Sequence, residues 1–401
     1  MKKKKIIILS IIVIFVIAFI SSVFIIMDII KEMKEDEAAL TLKSNLITEF
    51  DSDVTVNDFI ENLNGTLLSN EKVDTTKLGT TKITFDYTSQ RNKKKTKSFE
   101  IEVVDTQKPL IYMSDSLTVK KGSNSDIINM VFAGDYCDSN PIKRIEGNYD
   151  LNTLGTYNLK FIVEDNSGNV AKKDFKLIVT DKVNTTYSTV QKKVDIDDVI
   201  NNYKKANTEI GIDVSEWQKD IDWNKVKQSG VNNAIIRVGY QKGYDGDNVV
   251  DPYFEKNIKG ATDAGIKVGI YFYTYAKTTE EGISQANWVC NQLKNYKIDL
   301  PIAFDWESWN SFSKCNMSFF DINNIASKFI EVLKNNGYEG ILYSSKNYLE
   351  KVWNTNKFSN VWLAHYTSKT DYSGDYSIWQ MCNTGKINGI NGDVDIDIFY
   401  K

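Results

Sequence analysis

Hydrophobic and polar positions follow three successive patterns along this chain. From Ile6 to Ile30 the only polar positions are Ser10, Ser21, Ser22 and Asp28. The stretch Ile6–Met27 predicts a helix long enough to cross about 30 Å of hydrocarbon at about 1.5 Å per residue. Beyond residue 46, Thr, Val, Ile, Phe and Tyr alternate with polar residues, the period of half-buried strands. From Ile210 onward, apolar runs such as NAIIRVGY (233–240) and LPIAFDWES (300–308) are separated by helix-like stretches, several ending at Gly. The expected organisation is a Lys run with a transmembrane helix (1–30), a stalk (31–45), two all-β sandwiches (46–105 and 106–182), a polar linker (183–208) and an α/β barrel (209–401).

The two sandwiches are read from an internal repeat at constant offset. Asp74, Leu78, Gly79, Thr80 and Phe85 match Asp150, Leu154, Gly155, Thr156 and Phe161; Phe99, Ile101 and Val103 match Phe175, Leu177 and Val179. The barrel is read from eight candidate strands that begin at about 211, 233, 267, 300, 339, 360, 376 and 393. The connections after the sixth are too short for a crossover helix, so the last strands are expected to pair antiparallel. Lys2–Lys5 before the span and mixed charge after it place the N-terminus in the cytoplasm and the remainder outside the membrane. No small-x-small cleavage site follows the span, so an uncleaved anchor is expected rather than a signal peptide.

Composition narrows the chemistry. Lys and Arg total 49 against 53 Asp and Glu, a net charge of −4 that lacks the basic excess of a nucleic-acid binder. One histidine, His365, removes most zinc-hydrolase and Ser-His-Asp schemes. The four cysteines, at 137, 290, 315 and 382, have neither disulfide-framework density nor metal-ligand spacing. No metal or cofactor is expected, and catalysis must rest on carboxylates, Tyr or Lys.

Carboxylates gather where a barrel places its chemistry, at the C-terminal ends of strands. Asp213 lies on the first strand, Asp305 and Glu307 on the fourth, Asp395 and Asp397 on the last. Alternation puts Asp305 and Glu307 on one face. Carboxylates on apolar strands with no Lys or Arg beside them raise one another's pKa, and a protonated acid beside an ionised partner is what glycoside hydrolysis needs. Tyr271 and Tyr273, with Tyr366 and Trp379, read either as sugar-stacking positions or as barrel core.

The second β unit, LGTYNLKFIVEDNSGNVAKKDFKLIVTD (154–181), resembles bacterial Ig-like modules and is expected to be a spacer. In the barrel region, GIDVSEWQKDIDW (211–223), VGIYFYTYA (268–276), PIAFDWES (301–308), VWLAHY (361–366), IWQM (378–381) and GDVDIDIFY (392–400) resemble glycoside hydrolase family 25, the lysozyme-type muramidases. The resemblance implies an irregular (β/α)5(β)3 TIM-like barrel. It also implies hydrolysis of the β-1,4 bond between N-acetylmuramic acid and N-acetylglucosamine in peptidoglycan. It makes Glu307 the general acid and Asp305 the group that orients the reacting sugar, with Asp213 and Asp395 completing an acidic cleft. Relatives often carry Asn where this chain has Asp397, and Y-H-F where it has Tyr271-Phe272-Tyr273. The competing reading is a non-catalytic wall-binding or assembly protein built on a degenerate barrel. The expected partners are peptidoglycan glycan strands and the membrane. All the carboxylates lie within the barrel, so residues 206–401 are expected to act without the β units.

Overall fold

The computed structural model describes residues 2–37, 40–89, 92–182 and 192–401. Two compact units divide the chain, one ending at Thr106 and the other running from Gln107 to Lys401. Of the expected linker, residues 183–191 lie outside the described residues.

The first unit opens with α1 (Lys2–Glu37), which continues past residue 30 into the expected stalk. Its segment Ser10–Met33 has a mean hydropathy of 3.0 and is long and apolar enough to cross a membrane. Ser21 Oγ donates to Ile17 O at 3.0 Å and Ser22 Oγ to Phe19 O at 2.8 Å, so both hydroxyls are satisfied within the helix, as hydrocarbon demands. Beyond it, β1 (Gly79–Ser89) and β2 (Lys94–Val104) form a long antiparallel hairpin. Ile83, Phe85 and Tyr87 on β1 and Phe99, Ile101 and Val103 on β2 turn to one buried face, closed by Phe50, Val56 and Phe59.

The second unit begins with another β layer. β3 (Phe132–Gly134) pairs with Leu110–Tyr112, and β4 (Gly155–Glu164) and β5 (Val170–Thr180) form its main hairpin. The internal repeat reappears as register. Leu159 lies opposite Phe175 as Ile83 lies opposite Phe99, and Gly155 opposite Val179 as Gly79 opposite Val103. Equal apolar spacing has therefore produced equal pairing, because a one-residue slip would turn each buried face to solvent. Asp165 closes the hairpin, its Oδ1 accepting from Asn169 N–H at 2.8 Å.

After α2 (Ile196–Tyr203), eight strands form a closed sheet. They are β6 (Thr208–Val214), β7 (Asn233–Gln241), β8 (Lys267–Tyr273), β9 (Ile302–Asp305), β10 (Gly340–Ser345), β11 (Val361–Ala364), β12 (Ile378–Lys386) and β13 (Val394–Tyr400). From β6 to β12 each pairs parallel with the next; β13 runs antiparallel to both β12 and β6 and shuts the ring. The antiparallel pairing expected of the last strands is thus confined to β13. β11 has only four residues, about 13 Å at about 3.3 Å each, so residues 365–377 can return alongside it without a helix and keep β12 parallel. Helices α3 (Trp223–Gln228), α4 (Phe254–Asp263), α5 (Thr279–Leu293), α6 (Phe319–Asn335) and α7 (Lys346–Lys351) follow the first five strands. Strand residues such as Ile212, Ile236, Ile270 and Phe304 form the core against these helices. Their neighbours Ile235, Ala303, Ile341, Trp362 and Phe399 fill the barrel interior. Phe399 fits because its ring lies over Gly211 of β6, where a Cβ would stand 2.2 Å from it.

The β layer of this unit docks directly on the barrel. Phe132 enters an aromatic nest, with ring centroids 6.0 Å from Trp309, 5.8 Å from Phe312, 6.0 Å from Phe319 and 5.3 Å from Tyr348. The first two N–H groups of α6, orphans by the geometry of a helix start, donate to this layer: Phe319 to Asp135 O at 2.8 Å and Phe320 to Tyr136 O at 2.9 Å. Gly134 permits the approach, since a Cβ there would lie 2.7 Å from the Phe319 ring. The module is therefore a buttress of the barrel as well as a length of chain leading to it.

Candidate active site

Strand register assembles the carboxylates. Asp213 near the end of β6 and Asp395 on β13 are direct cross-strand partners. Asp397 lies one inward-facing step deeper, opposite Gly211 and Gln380. Asp305 ends β9, and Glu307 follows in the loop beyond the strand. Asp213, Asp305 and Asp397 are buried; Glu307 opens to solvent and Asp395 is half-buried. A gradient of exposure thus runs from Asp397 at the bottom to Glu307 at the rim.

Gln380 on β12 organises the inner group. Its Nε2 donates to Asp213 Oδ2 at 2.7 Å, and its Oε1 accepts from Tyr343 OH at 2.9 Å and Tyr366 OH at 3.1 Å. Trp362 Nε1 donates to Asp397 Oδ1 at 2.8 Å. Among the described residues, Asp305 Oδ1 and Asp397 Oδ2 are buried oxygens with no hydrogen-bond partner. An unmade bond of this kind costs about 1–3 kcal/mol, so the cleft is built with unused acceptor capacity.

The electrostatics follow from burial and crowding. Desolvation first, then the charges of Asp395 and Asp397, push the Asp213 carboxyl well above the usual range, against the Gln380 bond that favours its ionised form. Burial and the neighbouring Glu307 do the same to Asp305, opposed by Arg237. Glu307 is raised by desolvation and held back by the neighbouring Asp305 carboxyl. Burial takes Asp395 up to about 7 and Asp397 up to about 8. Asp305 and Glu307 are close enough to influence each other's ionisation, and crowding two carboxyls together disfavours ionising both. A cation does stand near the cleft, contrary to the expectation of none. Arg237 on β7 is already bound by Asp251 and Glu216, each at 2.7 Å, which leaves little of its charge to neutralise the acids.

The aromatic candidates divide. Tyr273 is the register partner of Asp305, and its hydroxyl pKa is raised by burial, by its bond with Tyr275 and by the charges of Asp305 and Glu307. Tyr366 is 49% exposed at the cleft mouth, with its hydroxyl tied to Gln380. Tyr271 sits deeper, packed edge-on against Trp362 in the barrel interior. Trp379 is not brought to the cleft. It points outward from β12, is 3% exposed, and donates Nε1–H to His365 O at 2.8 Å. Its neighbour Gln380 takes the inward position, and with Tyr343 it was missed by the sequence reading. The available signal was a lone amide within the apolar run IWQMC (378–382).

Residues 212–390 match the family model for glycosyl hydrolases family 25. The autolytic lysozyme of Clostridium acetobutylicum is 31% identical over 193 residues, covering 48% of this chain and 56% of that protein. Lysozyme M1 of Streptomyces globisporus is 29% identical over 206 residues, covering 47% and 67%. The solved structure of the modular autolysin LytC from Streptococcus pneumoniae, in complex with a synthetic peptidoglycan ligand, is 25% identical, with a TM-score of 0.44 over 60% of this chain and 56% of that one. The chain therefore spans just over half the length of the autolytic lysozyme.

Proposed function

We propose, from a chain whose residues 212–390 carry a family 25 glycosyl hydrolase domain, that this protein is a membrane-anchored N-acetylmuramidase. It cleaves the β-1,4 bond between N-acetylmuramic acid and N-acetylglucosamine in peptidoglycan. The observation that carries the reading is the placing of Asp305 at the end of β9 and Glu307 just beyond it, beside the cross-strand pair Asp213 and Asp395. The five strand–helix units followed by three strands support an irregular (β/α)5(β)3 barrel for 209–401. The repeated hairpins support Ig-like modules at 46–105 and 106–182, and α1 supports a single-pass anchor with the catalytic domain facing the wall.

In this reading Glu307, at the solvent rim, protonates the glycosidic oxygen. Asp305 carries the unpartnered Oδ1, which accepts the N–H of the substrate acetamido group. That bond favours ionised Asp305, whose charge in turn disfavours ionising Glu307, so substrate binding helps keep Glu307 protonated. The oriented acetamido oxygen, or a water held by Asp395, then meets the anomeric carbon. Asp213, fixed by Gln380, keeps the cleft acidic and positions Asp395 across the strand pair.

The test is mass spectrometry of products from purified wall, with Glu307→Gln as the control. Muramic-acid reducing ends are expected, and Glu307→Gln should lower their release at least about 100-fold while the fold persists. Glucosamine ends, or near-normal turnover by a folded Glu307→Gln protein, would sink the assignment.

A further inference from the structure

A cavity of about 460 Å³ opens beside the cleft, at the ends of β11 and β12. One wall is barrel: Tyr366–Ser368 after β11 and Met381–Thr384 on β12. The other is the segment before the family 25 domain, Lys192–Val194 and the Val199, Asn202 and Tyr203 side of α2. This outer wall is fastened in place. Val194 pairs with Gly385 in parallel register, Thr384 Oγ1 donates to Lys192 O at 3.1 Å, and Tyr203 OH donates to Ser368 O. A volume of about 460 Å³ is ordinary for a pocket that encloses a small ligand.

Tyr366 joins the cavity to the chemistry. Its ring lines the cavity, and its hydroxyl bonds the same Gln380 amide that holds Asp213. Tyr366 thus borders both the cleft and the cavity, so a substituent of a sugar seated over the carboxylates has a route past this ring into the cavity. The lining favours a peptide over another sugar. Sugars dock on open aromatic faces, but Tyr203 meets Trp379 edge to face at 5.9 Å and its hydroxyl is committed to Ser368. The floor is aliphatic and sulfur-bearing, from Val199, Met381 and Cys382. The rim offers the Lys192 ammonium, the Asn202 and Asn383 amides and the Asp198 carboxylate. Small aliphatic side chains suit that floor, and carboxylate, amide and amine groups suit that rim.

We propose that this cavity is a subsite for the peptide stem carried on the lactyl group of the muramoyl residue, a short peptide of alanine, dicarboxylic and diamino residues. The proposal rests on the muramidase reading. It makes α2 part of the substrate site, although α2 lies outside the matched domain.

The experiment compares two substrates with the full chain in detergent: glycan strands bearing their stems, and the same strands stripped by an amidase. Wild type should cleave stem-bearing strands with kcat/KM about tenfold higher. Asn202→Trp, which fills the cavity, and Lys192→Glu, which reverses the rim charge at an exposed position, should each bring that preference to within about twofold. The ratio is read within each protein, so partial loss of folded enzyme leaves it unchanged. Equal cleavage of both substrates by wild type overturns the proposal, and so does a full preference retained by both variants. If wild type cleaves neither substrate, the muramidase reading itself falls.

Discussion

The ring of Phe132 lies stacked on that of Phe319, at 6.0 Å and an interplanar angle of 15°, and so joins a β module to the helix that follows the Glu307 loop. The nest around them leads back to the chemistry. Trp309 stacks on Tyr348 at 4.0 Å, meets Trp306 at 4.7 Å, and donates its backbone N–H to Glu307 O at 2.8 Å. The loop that carries Glu307 is thus clamped from both sides.

Removing Phe132 should therefore be felt at a distance. Phe132→Ala in the full chain is expected to cost about 3 kcal/mol of stability and to lower kcat through a looser Glu307 loop. A fragment of residues 107–401 should retain activity on purified wall that a 206–401 fragment loses in large part. Thermal melts and wall-release assays check both. Equal activity of the two fragments would return the module to the role of a spacer.

The buried acids make stability depend on pH. Between about pH 4, the unfolded carboxyl value, and about 8, the folded Asp397 is protonated while its unfolded counterpart is ionised. The folded state then holds the extra proton, so stability is complete below that window and falls as pH rises through it. Asp395, Asp213 and Asp305, also raised, add to the same slope. Asp397→Asn keeps an acceptor for Trp362 and removes the titration. Its Tm should decline less between pH 5 and 8 than that of wild type. Parallel Tm curves would show that Asp397 does not hold the proton.

Tyr366 and Trp379 give a paired contrast. Tyr366→Ala removes an exposed ring at the cleft mouth and should raise KM several-fold with little change in Tm. Trp379→Ala empties a buried site on the outer face and should cost about 3–5 kcal/mol, while the KM of the folded fraction stays near normal. The opposite pattern would place Trp379 against substrate.

For the anchor, membranes from expressing cells should retain the full-length chain through alkaline carbonate washing, and protease added outside should release the second unit. A mature N-terminus near residue 30 in the soluble fraction would mark a cleaved signal peptide instead.

What could be read in the sequence followed how one-sided each element is. β1, β2, β4 and β5 bury one face, so alternation gave their register and exposed the repeat. Asp213, Asp305, Glu307 and Asp395 stood out because carboxylates on apolar strands are costly and so conspicuous. β12 is buried on both faces, and there period 2 carries no sign of inside or outside. That is why Trp379 was placed in the cleft and Gln380 overlooked. The docking of Phe132 was hidden for a related reason. In the stretch Val131–Gly134 a phenylalanine that packs across an interface looks the same as one that packs beneath its own sheet. Arg237 was passed over because its partners, Glu216 and Asp251, come from separate loops.

The antiparallel closure by β13 also has a consequence in time. Asp395 faces Asp213 only once residues 394–400 have threaded between β12 and β6, after every other strand of the barrel has been made. Until then the barrel has an open seam and lacks two of the five clustered carboxylates, Asp395 and Asp397. In the proposed reading, the cleft is therefore assembled only when this strand is in place.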